Sequence, residues 1–186
     1  VAGVFLALLT GVGGACMAVE RAKYTVELSE PPYEVRDYDP MVVASVHVDG
    51  DRSNAVSAGF RILANYIFGN NQGNGKIAMT APVEQQSLAS GWDVSFMMPA
   101  GYTMSTLPLP NDARVTRVPV PRHRAAVVRF SGFWSDANLQ THETQLLQWV
   151  KLHHLVAVAS PTYAYYDPPW TPWFLRTIEV MVDIES

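Results

Sequence analysis

The chain has 186 residues, 48% apolar and 16% charged, which suits one folded unit with a full core and excludes intrinsic disorder. A net charge of −4 with no basic cluster argues against nucleic acid as a partner. The single cysteine, Cys16, excludes an internal disulfide framework and any multi-cysteine metal centre.

Residues Val1–Val19, "VAGVFLALLTGVGGACMAV", carry no charge. The core "VFLALL" has the length of a signal-peptide h-region, and the small residues of "GGACMA" could supply a cleavage site. The alternatives are an uncleaved anchor and an ordered part of the fold. Export would make the mature protein periplasmic or otherwise extracytoplasmic, with a possible membrane tether. Residues 20–186 are read as one domain.

"YEVRDYD" (33–39) and "MVVASVHVDG" (41–50) alternate as two strands, with Pro40 at the turn between them. A helix follows, in which Val56, Phe60, Leu63 and Ile67 form an apolar stripe. Ser53 is its expected N-cap and Gly69 its stop. "FGNNQGNGKIAMTAPV" (68–83) looks at first like a phosphate-cradling loop. That loop needs Gly where Asn70 stands and a hydroxyl where Ile77 stands, at a helix N-terminus rather than a C-terminus. The glycines are chain-reversal residues instead. "KIAMTAPVEQQ" and "WDVSFMMP" then read as strands.

The second half repeats the order. "RVTRVPV" and "RAAVVRFSG" are strands, and a helix carries Leu139, Leu146 and Val150 in line with Ser135 as cap. "TYAYYD" and "RTIEVMVDI" close the chain as strands. Gly50, Ser53 and Ala55 answer to Gly132, Ser135 and Ala137. The pattern is a duplicated β-β-α-β-β unit of class α+β, with halves at about 33–98 and 114–184, joined through "PAGYTMSTLPLPNDA". Neither half covers its own sheet, so both should share one core.

"YEVRDYDP", "GFRILANYIFGNN", "KIAMTAPV", "FSGF" and "YDPPWTPWFLRTIEVMV", in that order from Tyr33 to Val182, resemble the SOUL/haem-binding protein family. The resemblance implies a distorted eight-stranded antiparallel β-barrel flanked by two helices, which agrees with the duplication. It also implies a bound haem or related tetrapyrrole, with a pocket between the first helix and the segment after "YDPP". Carried over, the cofactor-binding residues are Phe60, Leu63, Ala64, Ile67, Tyr166, Trp170 and Trp173. Aromatic and aliphatic walls suit a flat apolar disc. Positions where one branch of the family carries basic residues are Ser57 and Asn65 here, with Arg61 off the stripe, and the position of another branch's axial histidine is Asp37. The binding implied is therefore mainly hydrophobic, with weak or absent axial ligation.

No catalytic set and no metal site is expected. His47, His123, His142, His153 and His154 lack metal-ligand spacing. Met79, Met97, Met98 and Met104 read as core filler. Glu143 is expected to face solvent, or else a polar point in a groove. Arg176 and Glu179 are expected to form a structural ion pair or barrel-rim contacts. Trp170, Trp173 and Phe174 suggest a pocket lid, packing under a loop, or a membrane-facing patch. The resulting expectation is a non-enzymatic tetrapyrrole-binding protein. The alternatives are a small-molecule hydrolase or effector-binding domain using the same groove, and a protein-interaction module.

Overall fold

A computed structural model of the chain describes residues 19–185; the leader reading concerns residues almost wholly outside that range. In chain order the elements are β1 (Glu20–Arg21), β2 (Tyr24–Glu30), β3 (Tyr33–Tyr38), β4 (Met41–Val48), α1 (Arg52–Ile67), β5 (Thr80–Ala81), β6 (Val83–Ser87), β7 (Trp92–Met97), β8 (Val115–Val120), β9 (His123–Phe130), α2 (Asp136–Leu152), β10 (Thr162–Tyr165) and β11 (Ile178–Ile184), with a 3-10 turn at Trp173–Leu175 before the last strand.

Nine strands form one curled antiparallel sheet in the order β2-β3-β9-β11-β10-β6-β7-β4-β8, and β1 pairs β5 in parallel beside it. The fold is α+β, and the sheet is a half-barrel whose end strands are β2 and β8. Without β2, the order is symmetric about the β10–β6 seam. The first strand of each half pairs with the second strand of the other: β3 with β9, and β8 with β4. This exchange is the duplication made visible, and it explains why the halves share one sheet.

The expected barrel of eight strands gains a ninth because Tyr24–Glu30 pairs along β3. That strand is an edge with no buried residue, so it lacks the apolar alternation that announces a half-buried strand. The single strand expected over "KIAMTAPVEQQ" is instead two, β5 and β6, broken at Pro82, which has no N–H to give a ladder.

Both helices lie on one face of the sheet. α1 buries Ala55, Gly59, Leu63, Tyr66 and Ile67, chiefly against β4 and β7. α2 buries Leu139, Leu146, Trp149 and Val150 against β9 and β11. The expected α1 stripe is rotated: Leu63 and Ile67 are core, whereas Phe60 is 38% exposed. Small residues occupy the contact line because the helix approaches closely, and a Cβ on Gly59 would lie 2.6 Å from Val94 Cβ. The α1 N-cap is Asp51 rather than Ser53. Its backbone is extended and its carboxylate accepts from Asn54 N at 3.0 Å. Ser135 caps α2 as expected, accepting from Asn138 N at 3.3 Å. Gly69 follows α1 with φ of 121°, the left-handed region that glycine enters freely.

Candidate ligand-binding cleft and the polar face of the sheet

The helix N-termini meet through Arg52, whose guanidinium donates to Asp136, to Tyr165 Oη (2.9 Å) and to Trp134 O (2.6 Å). This buried arginine fixes one end of the molecule. The other face of the sheet, away from the helices, carries the polar alternate residues. At its centre Glu179 accepts four hydrogen bonds. Arg36 donates to both oxygens at 2.9 Å, Arg129 Nε to one at 2.7 Å, and Tyr166 Oη to the other at 2.7 Å. Burial pushes the Glu179 carboxyl up, but hydrogen bonds from Arg36, Tyr166 and Arg129 outweigh it and hold it below the usual glutamate value. Such a saturated carboxylate is a structural centre and has no lone pair free for chemistry.

The expected Arg176–Glu179 pair is not formed. Arg176 instead donates to Thr171 O and Pro169 O at 2.8 and 2.7 Å and lies over the Trp134 ring at 4.4 Å. Strand alternation explains the difference: Arg36 and Arg129 share a face with Glu179, whereas Arg176 precedes the strand.

Glu84 is on the same face, one strand beyond Ala164, which it pairs in register, as Ala164 pairs Glu179. Among the described residues it accepts no hydrogen bond from the protein. Burial, then the charges of Asp183 and Glu179, push its carboxyl up to about 7.

A cleft of about 770 Å³ opens at the end of the sheet where β4 begins and β7 ends. Its walls are Met41, Val42, Met97, Met98, Tyr102 and Met104, with prolines 40, 99, 119 and 121. Arg21, Lys23, Glu20 and Asp39 stand at its edge. The walls are tied together. Ala100 N donates to Glu20 Oε1 (2.8 Å), Asp39 N to Lys23 O (3.0 Å), and Met98 N to Val42 O (2.8 Å). Arg117 supports the far wall by donating to Met104 O and Leu107 O. Four thioethers in one cleft make an adaptable apolar lining. Met97 and Met98 were expected as core filler; both are buried, yet both border this space. Sequence spacing gave no hint, because the lining comes from four separated turns and strand ends.

The seven residues carried over from the family are not gathered on this cleft. Leu63 and Ile67 are core, Phe60 packs edge-on to Phe96, and Ala64 is half-buried on α1. Tyr166 lies beneath Arg21, 4.9 Å from its guanidinium. Trp170 and Trp173 are 83% and 49% exposed on the β10–β11 loop. Four of the five histidines have local partners: His142 stacks on Phe130, His123 on Tyr38, His153 packs on Trp149, and His47 pairs Asp93. Glu143 is half-buried and accepts from Tyr163 Oη at 2.5 Å. No cluster of three or more metal-ligating side chains occurs among the described residues.

Comparison with known proteins matches the SOUL heme-binding protein family to residues 19–183. No curated protein gives a match. Among solved structures the chain is similar to the C-terminal domain of EcmrR, with TM-score 0.59 and 17% identity over 88% of this chain and 98% of that one. It is similar to EcmrR in a DNA complex, with TM-score 0.64 and 17% identity over 83% of this chain and 57% of that one. It is also similar to a hydrolase from Listeria innocua, with TM-score 0.55 and 15% identity over 91% of this chain and 94% of that one. These likenesses are of fold.

Proposed function

From the premise that this chain belongs to the SOUL haem-binding family, we propose that it binds a haem or related tetrapyrrole without acting on it, in the methionine-lined cleft. The observation that carries this reading is the cleft itself. Its volume, about 770 Å³, falls within the usual range of roughly 300–1,000 Å³ for small-molecule sites. The residues fit the group. Met41, Val42 and Met104 offer apolar surface to the macrocycle, and Arg21 and Lys23 offer cations to its carboxylates. Thioether and phenol are both groups from which haem iron takes ligands, and Met41, Met104 and Tyr102 are the lining examples with exposed surface. When bound, the group would supply an iron centre and strong visible absorption. The chain's own work is to exclude water from the disc and hold its charged edge outward. The uncharged stretch 1–19 supports work outside the cytoplasm.

Phe60, Leu63, Ala64, Ile67, Tyr166, Trp170 and Trp173 define the competing location that the family implies. Haemin titration followed at the Soret band tests binding. The absence of a saturable shift below about tens of micromolar, the weak end of specific affinity, would overturn it.

A second reading, hydrolysis of a small apolar electrophile, has one observation in its favour. Glu84 is a half-buried carboxylate with no hydrogen-bond donor among the described residues, held near neutral pKa on the sheet face away from the helices. It requires turnover that vanishes in Glu84→Gln with the fold intact.

A further inference from the structure

We infer that the β10–β11 loop, residues 166–177, is a preformed contact for a lipid bilayer surface, working beside the uncharged N-terminal stretch.

The loop presents Trp170 at 83%, Trp173 at 49%, Phe174 at 59% and Leu175 at 63% exposure, and Phe133 at 59% joins them from the turn before α2. Phe133, Trp173 and Phe174 form one patch, and Trp170 and Leu175 belong to the same short loop. Phe133 stacks on Trp173 with centroids 5.2 Å apart, and Trp173 meets Phe174 edge-on at 5.5 Å. A soluble surface rarely gathers so many large apolar side chains without something to cover them.

The backbone beneath is held firmly. Gly132 N donates to Trp173 O, Leu175 N to Pro172 O, Thr171 N to Pro168 O, and Thr177 N to Asp167 Oδ2. Arg176 clamps two further loop carbonyls. The aromatics are therefore displayed by a built knuckle, which lowers the ordering cost of burying them.

The chain's own path identifies the occupant. Residues 1–19 carry no charge, and they join the body at Glu20, the first residue of β1. The other β1 residue, Arg21, lies over the ring of Tyr166, the first residue of the loop. The uncharged stretch therefore joins the body at the end of the sheet from which this loop projects. Tryptophan favours the headgroup level, where its ring is half in lipid and its N–H is wet. Arg21, exposed at that edge, suits headgroup phosphates. A protein partner would account for the patch but not for its lying at the end of the sheet where the uncharged stretch joins the chain.

The test uses the full chain with vesicles of phosphatidylcholine and phosphatidylglycerol, the phosphatidylcholine brominated in the upper acyl chain. Tryptophan emission is compared with that of Trp170→Ser/Trp173→Ser, whose fold is checked by circular dichroism and a thermal melt. We expect brominated lipid to quench the parent strongly, and to quench the double variant, which keeps Trp92, Trp134 and Trp149, far less. Equal quenching in both would overturn the inference. So would flotation with the vesicles without quenching, which would leave the N-terminal stretch as the sole contact. Failure to float, with the patch instead protected in a protein complex, would also overturn it.

Discussion

Arg36 and Glu179, 143 residues apart, meet as a two-pronged pair with both arms at 2.9 Å in the interior of the sheet. The pair joins β3 to β11 across β9, so it ties the first half of the chain to the last strand. Removing one partner of a buried pair strands the other, at a cost of about 3–5 kcal/mol. Glu179→Gln should lower stability by that order in urea unfolding, as should Arg36→Met. The double variant Arg36→Met/Glu179→Met should cost less than the two single costs summed, since neither buried charge then lacks its partner.

The same carboxylate sets an acid limit. The folded-state pKa of Glu179 lies below its ordinary value, so its contribution is present above about pH 4.3 and is lost as pH falls through the folded value. Thermal melts taken downward from about pH 5 should show a steep fall in Tm in the parent and a shallower one in Glu179→Gln. Parallel slopes would show that acid unfolding is driven elsewhere.

Much of this architecture is legible in the chain. The two helices, most of the strands, the Ser135 cap and the duplication follow from apolar spacing and turn residues. Two kinds of feature do not. Strand β2 buries nothing fully, so it leaves no periodic trace. The cleft is assembled from strand ends and turns far apart in sequence, and no local pattern encodes such a meeting. The ion pair falls between these cases. "YEVRDY" and "IEVMVD" each carry more than one charge inside a strand-like run, so the sequence does not say which charge is buried, and only the register shows that Arg36 rather than Arg176 answers Glu179.

Helix α1 depends on one missing methyl. In Gly59→Ala the added Cβ would sit 2.6 Å from Val94 Cβ and Cγ2, atoms near the backbone that cannot swing aside. The helix-propensity gain of about 1 kcal/mol works against an overpacking cost of typically 1–3 kcal/mol, so a net loss of stability is expected. Chemical denaturation measures it, and the exposed Ser57→Ala serves as a control within about 0.5 kcal/mol of the parent.

Glu84 should act in the opposite pH direction to Glu179. Its folded value is raised to about 7. The stability tied to its protonated form is therefore fully present below the unfolded value and is lost as pH rises through about 7. Glu84→Gln should equal the parent near pH 5 and exceed it near pH 8 by about 1–2 kcal/mol, discounted for partial access to water. Urea midpoints at the two pH values decide it.

The two locations for a tetrapyrrole make different demands on single residues. In the cleft, Met104 and Met41 contribute apolar contact from separate segments of the lining, and each truncation to alanine removes on the order of 1 kcal/mol. Met104→Ala and Met41→Ala should then weaken haemin binding about five- to tenfold. Phe60→Ala and Trp170→Ala should leave it within about twofold, because neither side chain borders the cleft. Lys23→Glu should weaken it as well, by replacing an exposed cation with an anion where propionates would lie, and this loss should shrink at high salt. The reverse pattern, with loss on changing Phe60 and Trp170 and indifference at both methionines, would move the ligand to the first helix and the tryptophan loop. Tm measured on every variant separates lost binding from lost fold, which matters most for Met41 because it begins the β4 strand.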